Sequence, residues 1–390
     1  MELSQKDIRF LTFGYFLENS PGVELKFTQN DKWSALNYSE ALEEAGNLWR
    51  STFHERYNAS SSMEHVVPIS GGVDSRALLL ELLKYKEAKD IHTFTFGVKG
   101  SLDYEIGKGI ARHYGTNHSQ IDCSGDILTL KNAVEFGELV DFSCNLFLTP
   151  QVSALRQYKG MNIWTGTVID VFFGIHFHEH ESLTHEALAL NFMRENSLTK
   201  HFGQFIDQSD LINMLSVPIV KGSSMEHTVD LANRQSKFVA KHLLYEGYNF
   251  STMLGDEITQ FALSIDQSFH IKQRLYVEMM QNIYPDFNKF PCKTSFGLKL
   301  SAPNYRVTLK RLSTKASRFF NPYFKDPYVN YLDWDKELSK STIRRLDDSI
   351  GPDEYTDLMN FLCELNDKNG GYAMDILNLL SLRIIKNVKR

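Results

Sequence analysis

A short segment near residue 70 carries the residue types that bind a pyrophosphate. Residues 70–75 read Ser-Gly-Gly-Val-Asp-Ser and follow an apolar run. Adjacent glycines let the backbone approach an anion closely, and a following helix N-terminus adds free N–H groups with a partial positive charge. Ser70 and Ser75 add hydroxyl donors, and Asp74 is available to a divalent cation. The segment predicts a pyrophosphate site, with a ligand-free turn capped by serines as the alternative.

The elements on either side of this loop are predicted from the hydrophobic pattern. The apolar run 66–69 predicts a buried strand, and residues 77–83 predict a helix. A second strand is predicted at residues 92–97, with Phe94 and Phe96 on one face. The loop has no G-x-x-x-x-G-K-S/T pattern, which excludes the common phosphate loop of kinases and GTPases.

The hexapeptide at residues 70–75 matches the S-G-G-x-D-S signature of the N-type ATP pyrophosphatases, the PP-loop enzymes, and the chain resembles that family. The resemblance implies an α/β fold of the adenine nucleotide α hydrolase type, in which helices flank a parallel sheet and ATP is the cofactor. Such enzymes cleave ATP between the α- and β-phosphates and attach AMP to a substrate oxygen. They include asparagine synthetase, GMP synthetase, NAD synthetase, argininosuccinate synthetase and tRNA-modifying ligases.

The segment after the loop resembles the asparagine synthetase branch of this family. A strand ending in Phe96-Gly97 is followed by Asp103, which opens a predicted helix, and by a G-T-x-H pattern at residues 115–118. Asp103 also fits a helix N-cap, which is worth about 1 kcal/mol. His118 also fits a histidine packed at the start of a strand. The order and spacing of these features favour the asparagine synthetase branch.

A third block matches the branch only in part. In the family, a third strand ends in S-G-x-G-x-D-E, whereas residues 165–171 here read Thr-Gly-Thr-Val-Ile-Asp-Val. Gly166 and Asp170 are retained. Thr167 stands where asparagine synthetases have a glutamate implicated in amide formation, and Val171 replaces an acidic residue. Nucleotide binding is therefore better supported than formation of asparagine.

The resemblance implies an ATP and magnesium site. Asp74 and Asp170 are the expected metal ligands and catalytic carboxylates, because Mg²⁺ usually needs only one or two protein carboxylates plus phosphate and water. Lys293 and Lys310 are candidates for the lysine that contacts the adenylate, and Lys293 is assigned to the site. A surface lysine is the default interpretation of either. The residues expected to contact ATP are Ile69, Ser70, Gly71, Gly72, Asp74, Ser75, Phe96, Gly97, Thr165 and Gly166.

The composition predicts a cytoplasmic enzyme. The chain has 390 residues, of which 42% are apolar, and a net charge of −6, so no basic surface indicates nucleic acid as the main partner. No charged-then-apolar leader opens the chain, and no apolar run approaches the length of about 20 residues that spans a bilayer. The four cysteines contain no C-x-x-C pair, which argues against a zinc ribbon, an iron–sulfur site or a thiolating tRNA enzyme: Cys123, Cys144, Cys292 and Cys363.

A connecting segment and one large domain are predicted along the chain. Residues 1–62 resemble the segment that precedes the synthetase domain in the family, and residues 63–390 are expected to form one asparagine synthetase-like domain. Within it, residues 63–180 are predicted to form the ATP-binding core and residues 181–390 a mostly helical, substrate-side region. Long helices are predicted at residues 226–246 and 256–284. Shorter helices are predicted at residues 38–57, 182–195 and 374–385.

The start of the chain differs from that of glutamine-dependent asparagine synthetases. Their N-terminal glutaminase domain carries a cysteine directly after the initiator methionine, whereas residue 2 here is Glu and the loop already begins at Ser70. We expect this domain to be absent. Ammonia, an amine or a glutaminase on another chain would then supply the nitrogen.

One further cluster could bind a metal. His176, His178 and His180 would share one face of an extended segment, which suits zinc or copper. A solvated loop at the mouth of the nucleotide site is the default interpretation.

The hypothesis for function is an amide-forming ligase that converts a carboxylate into an acyl-adenylate before a nitrogen nucleophile displaces AMP. Two alternatives are a nucleotide-binding family member with impaired catalysis and a PP-loop ligase that modifies RNA. The second alternative predicts a basic surface or a cysteine pair, which the composition does not offer.

Overall fold

A parallel sheet lies at the centre of the protein. The computed structural model describes residues 3–18, 22–124, 127–176, 184–199, 201–320, 327–329, 331–338, 342–343, 346 and 373–388. Within these ranges the central sheet has five strands in the order β3-β2-β1-β4-β5, and all neighbours are parallel. The strands are β1 (His65–Pro68), β2 (Ile91–Gly97), β3 (Asn117–Asp122), β4 (Asn162–Thr165) and β5 (Asn249–Thr252). The predicted α/β fold with a parallel sheet is confirmed.

Both faces of the sheet are covered. Val66 belongs to one apolar core together with Phe94 and Ile163, whereas the next residue, Val67, belongs to a second core on the other face with Trp164. Successive side chains of a strand point to opposite faces, so β1 contributes to both cores. Such burial explains why the strand appears in the sequence as a continuous apolar run rather than as an alternation.

Helices surround the sheet and fill the rest of the described chain. In the first half they are α1 (Gln5–Phe13), α2 (Tyr38–Ser60), α3 (Asp74–Leu82), α4 (Leu102–Tyr114), α5 (Leu130–Leu139), α6 (Thr149–Leu155) and α7 (Ile169–Phe172). In the second half they are α8 (His185–Asn196), α9 (Gln208–Met214), α10 (Met225–Asp230), α11 (Asp256–Ser264), α12 (Arg274–Ile283), α13 (Asn304–Phe320), α14 (Trp334–Glu337) and α15 (Ala373–Val388). A short hairpin, β6 (Pro291–Cys292) and β7 (Leu298–Lys299), lies between α12 and α13. In the part of the chain that is described, every helix is too short or too polar to span a bilayer.

The two ends of the chain pack against each other through α1 and α15. The Asn378 side chain donates to the Leu11 carbonyl oxygen at 2.8 Å, and Lys386 forms an ion pair with Asp7 at 2.8 Å. Helix α2 packs instead on α11 and α12, and the Trp49 indole donates to the Tyr284 hydroxyl at 2.7 Å. The region limits 62 and 180 stay predictions.

The predictions of two long helices in the second half are wrong, because each predicted range is divided into shorter helical segments. Within 226–246, α10 passes into a π-helical turn, Leu231–Gln235, and then into a 3-10 segment, Val239–Leu244. Asn233 in the π-helical turn is buried and hydrogen-bonds both backbone groups of Ser216. A tertiary contact of this kind has no trace in helical periodicity.

Within 256–284, α11 ends at Ser264 and α12 begins at Arg274. The Asp266 side chain caps the intervening 3-10 segment by accepting from the Ser268 N–H. Lys272 and Gln273 then take left-handed backbone conformations, with φ of 56° and 55°. The chain turns sharply at these two residues, where α12 starts. The other three predicted helices are confirmed as α2, α8 and α15.

Close packing between α4 and the sheet leaves no room for a side chain at Gly107. A Cβ there would lie 2.3 Å from Thr95 Cγ2 and 2.4 Å from the Ile69 carbonyl oxygen. We expect Gly107→Ala to lower the free energy of unfolding by about 1–3 kcal/mol through overpacking. Urea denaturation at equilibrium measures this loss.

Gly109 provides the matched control, because it lies on the same helix with nothing within 4 Å of its Cβ position. Gly109→Ala should raise the free energy of unfolding by about 0.5–1 kcal/mol, since alanine is the better helix former. Equal effects of the two substitutions would show that helix propensity, not contact with the sheet, decides the outcome at Gly107.

Candidate active site

The loop that joins β1 to α3 is closed by its two serines. The Ser70 N–H donates to Ser75 Oγ at 3.2 Å, and the Gly72 N–H donates to Ser70 Oγ at 3.1 Å. The serine oxygens are 3.2 Å apart, so at most one hydroxyl hydrogen is used between them. Helix α3 begins at Asp74 without a side-chain cap, which leaves the N–H groups of its first turn available to a ligand. This arrangement suits an anion.

Asp103 and Lys293 support the loop from outside. The Gly71 N–H donates to Asp103 Oδ1 at 3.1 Å, and the ammonium of Lys293 pairs with the other Asp103 oxygen. The Lys293 N–H also donates to the Gly71 carbonyl oxygen at 2.9 Å. The packing around Gly71 is tight, because a Cβ there would lie 3.2 Å from side-chain atoms of both Ile106 and Lys293. Lys293 therefore lies at the loop, 190 residues away from Asp103 in the chain.

One sequence interpretation changes as a result. The interpretation of Asp103 as a helix N-cap is wrong: Ser101 occupies that position of α4, and Asp103 lies in the first turn with its carboxylate directed to Gly71. Lys293 is partly buried and paired with Asp103 at the loop, and its assignment to the site stays a prediction. Lys310, the other candidate, lies exposed on α13.

Arg76 holds the segment that carries Lys293. This guanidinium is buried on α3 and donates to the carbonyl oxygens of Phe287 and Pro291, the first at 2.8 Å. The turn before Lys293 is thus tied directly to the helix that follows the glycine loop. The sequence analysis missed this role, because nothing in the local pattern distinguishes an arginine that holds a distant turn from one on a surface.

Asp74 and Asp170 lie at the starts of the helices that follow neighbouring strands, Asp74 as the first residue of α3 and Asp170 as the second residue of α7. The loop after β4 touches the start of α3 so closely that a Cβ on Gly166 would lie 2.2 Å from the Asp74 Cβ. Burial raises the pKa of Asp74 to about 6, although the Tyr276 hydroxyl donates to Asp74 Oδ1 at 2.5 Å and lowers that pKa. Burial, and then the negative charge of Asp74, raise the pKa of Asp170 well above its usual range.

The donor set at Asp74 and Asp170 fits a magnesium ion. Both carboxylates are hard oxygen ligands, and burial disfavours their ionised forms in the free protein. A bound divalent cation would stabilise those ionised forms. Across the described ranges, no three His, Cys, Asp or Glu side chains gather to hold a metal by themselves. The two carboxylates would therefore need phosphate and water to complete the coordination.

A cavity of about 220 Å³ opens beside the loop. The Tyr331 ring stacks on Phe96 there, with ring centres 5.2 Å apart and an angle of 9° between the planes. Gly97 has a φ of 130°, which glycine adopts without strain. Aromatic walls and backbone polar groups suit a flat heteroaromatic ring. The lining residues are Pro68, Ile69, Ser70, Phe96, Ser101, Asp103, Gln151, Val329 and Tyr331.

The residues predicted to contact ATP all lie at the carboxyl ends of β1, β2 and β4. In open α/β sheets, ligands bind at that edge where the strand order reverses, which in this fold is between β1 and β4. Tyr276 and Tyr331, which the sequence analysis missed, come from the second half of the chain. Tyr276 lies in a loose motif, residues 270–276, that did not identify it as a site residue, and only the fold shows where the two tyrosines lie.

The loop between β4 and α7 has an unusual backbone. Val168 takes a left-handed conformation, with a φ of 71°, which costs about 1–3 kcal/mol in a residue that is not glycine. Its carbonyl oxygen is held by the N–H groups of Val171 and Phe172 at 3.0 and 3.2 Å. Val171 itself is buried in the apolar core, at the position where the family resemblance implies an acidic residue.

The histidine cluster lies only partly within the described residues. His178 and His180 fall outside them. His176 pairs through Nδ1 with an Asp230 carboxylate oxygen at 3.0 Å and contacts the Gln235 amide. The proposed histidine metal site stays a prediction.

Known proteins resemble this chain in the region that contains both loops. Residues 59–236 match the asparagine synthase family. Asparagine synthetase (glutamine-hydrolyzing) 3 of Arabidopsis thaliana is 26% identical over 162 residues, which cover 35% of this chain and 28% of that protein. The chain thus matches less than a third of the length of this relative. The family match includes Asp74 and Asp170, whereas Tyr276, Lys293 and Tyr331 lie beyond it.

We expect Asp74→Asn to stabilise the metal-free protein above the folded-state pKa of the carboxylate. Because that pKa is about 6 instead of the ordinary 3.8, the folded protein binds more protons than the unfolded chain between these values, and stability falls as pH rises through the window. Asparagine avoids this cost, on the order of 3 kcal/mol, and keeps the acceptor for Tyr276. Thermal unfolding with EDTA should show a larger gain at about pH 8 than at about pH 5.

Asp256→Asn is the control for the change of carboxylate to amide. Asp256 is exposed on α11 and pairs with Lys26, so its loss should cost less than about 1 kcal/mol. A loss of stability for Asp74→Asn at about pH 8 would contradict the electrostatic cost assigned to the carboxylate.

Proposed function

Because the chain contains a domain of the asparagine synthase family, we propose that the protein is an ATP-dependent ligase that joins nitrogen to a substrate carboxylate. The observation that carries this proposal is the contact between the glycine loop and the loop of Asp170 at the point where strand order reverses. The uncapped N-terminus of α3 would bind the phosphates of a nucleotide, and the two neighbouring carboxylates would bind its divalent cation.

ATP would bind with its base in the cavity beside Phe96 and its phosphates on the loop. Tyr331 stacked on Phe96 supplies an aromatic surface for the base. The uncapped N–H groups in the first turn of α3 would donate to the phosphates. Asp74 and Asp170 would hold Mg²⁺, which neutralises phosphate charge when it is bound. Tyr276 orients the Asp74 carboxylate through its hydrogen bond.

The reaction proposed is the formation of an acyl-adenylate. A carboxylate oxygen of the substrate attacks the α-phosphorus of ATP, the bond from that phosphorus to the bridging oxygen breaks, and pyrophosphate leaves. A nitrogen nucleophile then attacks the carbonyl carbon, AMP leaves with the acyl oxygen, and the nitrogen loses a proton. Positioning of the reactants and stabilisation of charge supply most of the acceleration in such steps.

Lys293 would stabilise charge on the departing pyrophosphate. Its ammonium is held beside Gly71 by Asp103, and its backbone is bonded to the same loop. A fixed cation at this position requires little reorganisation during the reaction. The nitrogen would come from ammonia, an amine or a separate glutaminase.

A nucleotide-binding protein that does not complete the reaction is the second candidate. The observation that favours it is the environment of Val171, an apolar residue buried where the family has an acid. Such a protein would bind ATP without exchanging pyrophosphate.

We expect carboxylate-dependent ATP–pyrophosphate exchange, tested with aspartate, glutamate and other small carboxylic acids. Lys293→Met should lower the exchange rate by about 100-fold, as loss of one donor to a developing anion does in other enzymes. Lys310→Met is the matched control and should leave the rate unchanged, because Lys310 is exposed on α13.

ATP binding is measured in parallel for all variants, so that a distorted loop is distinguished from lost catalysis. Exchange at the wild-type rate in Lys293→Met would remove the role assigned to Lys293. Binding of ATP by the wild-type protein without exchange for any acid would favour the second candidate.

A further inference from the structure

One face of α13 exposes a stripe of large apolar side chains. The exposed fraction of every member exceeds half: 61% for Tyr305, 62% for Leu309, 56% for Leu312, 82% for Phe319 and 79% for Phe320. Because successive residues of a helix are turned by about 100°, these positions fall within an arc of about 100°. A surface helix of a globular protein normally turns such an arc toward the core.

Helix α13 packs on the protein through its opposite side. Of its described side chains, Thr314 alone is buried, and Val307 and Ser317 are half-buried. Thr314 lies about 180° around the helix from Tyr305, and Val307 lies close to Thr314 in this projection. The apolar stripe therefore points directly away from the part of the protein that the structure describes.

The charge of α13 is positive throughout. Arg306, Lys310, Arg311 and Lys315 are exposed, and residues 304–320 contain no Asp or Glu, although the whole chain has a net charge of −6. Arg306 and Lys315 lie about 90° to either side of the centre of the stripe. The outward face thus has apolar side chains in the middle and cations at both edges.

This combination complements a bilayer surface with anionic headgroups. Helices that lie in a membrane interface bury Leu and Phe side chains at the boundary with the acyl chains, while Lys and Arg remain among the headgroups. A second copy of the chain is a poorer partner, because pairing would bring two faces without acids together and their like charges would repel. Anionic lipids supply both the negative charge and the apolar environment that the face requires.

We propose that α13 holds the protein on the surface of anionic membranes. The apolar stripe enters the interface, and the basic residues contact the headgroups. The helix lies parallel to the surface, since its 17 residues extend about 25 Å and carry cations along their length. Within the described residues no helix can span a bilayer, so this contact is peripheral. The inference does not rest on the proposed ligase function.

Co-sedimentation of the full chain with lipid vesicles tests the proposal. Phosphatidylcholine vesicles with about one third phosphatidylglycerol should bind the protein about tenfold more tightly, or more, than vesicles of phosphatidylcholine alone. The preference should shrink between about 0.1 M and about 1 M salt, because salt screens the attraction between lysine or arginine and the headgroups.

Two double variants separate the apolar and the charged contributions. Leu309→Ser with Leu312→Ser should weaken binding to the anionic vesicles by about tenfold or more, since two apolar side chains no longer enter the interface. Lys310→Glu with Lys315→Glu should weaken that binding to a similar extent and leave any binding to phosphatidylcholine alone unchanged.

Matched controls are exposed residues on other segments. Ile219→Ser removes an apolar side chain that is 93% exposed, and Lys26→Glu with Lys131→Glu makes the same change of net charge. Both controls should bind anionic vesicles within about twofold of the wild-type protein. All variants should keep the wild-type unfolding temperature and rate of ATP–pyrophosphate exchange, because the changed side chains are exposed.

Three outcomes would overturn the inference, whatever the result for the ligase. Failure of the wild-type protein to bind anionic vesicles would indicate that another part of the chain or a protein partner covers the stripe. Equal binding by the wild-type protein and the leucine variant would assign the membrane contact to another surface. A dimer in sedimentation equilibrium without vesicles that the leucine variant dissociates would assign the stripe to a second copy.

A second measurement locates the helix in the bilayer. Phe319→Trp keeps a large apolar ring, so binding should stay within about twofold of wild type. Its fluorescence, taken as the difference from wild type, should move to shorter wavelength on vesicles and be quenched by brominated acyl chains. The native indoles are buried and give a constant background: Trp33, Trp49, Trp164 and Trp334. Bound protein without this quenching would contradict insertion of the stripe.

Discussion

Two carboxylates of like charge meet where β1 and β4 end, and the other groups of the site are arranged around that contact. The meeting depends on Gly166, since any side chain there would overlap Asp74. Burial and the neighbouring charge disfavour ionisation of Asp170, and the Tyr276 hydroxyl offsets only part of the cost at Asp74. The free protein therefore carries unfavourable electrostatic energy that a divalent cation would relieve, a common feature of functional sites.

Residues from the second half of the chain complete the candidate site at the carboxyl ends of the strands. The sharp turn at Lys272 and Gln273 starts α12, from which Tyr276 reaches Asp74. Buried Arg76 fixes the turn that carries Lys293 against the glycine loop. Tyr331 closes one side of the cavity by stacking on Phe96. Each contact joins residues that are far apart in the chain, so the site forms only when both halves have folded together.

The local elements of the first half were largely predictable from the sequence. The strand, glycine loop and helix around residues 66–83 have short-range signals: a continuous apolar run, two glycines and a leucine-rich helix. The second half was less predictable. Apolar periodicity continues through 226–246 and 256–284, but buried polar residues such as Asn233 and left-handed residues such as Gln273 break the helices for tertiary reasons.

The sequence by itself determined the glycine loop with the strand and the helix on either side of it, because residue type and short spacing decide how a backbone turns and which groups it presents. The resemblance to a known family added the expectation of a parallel sheet and of a site at Asp74 and Asp170. Only the tertiary structure decided that Asp103 supports Gly71 instead of capping a helix and that Lys293 and not Lys310 lies at the loop. Those relations depend on packing between elements separated by tens to hundreds of residues. Pairings of that kind are set by the shapes of buried surfaces, which no local pattern records.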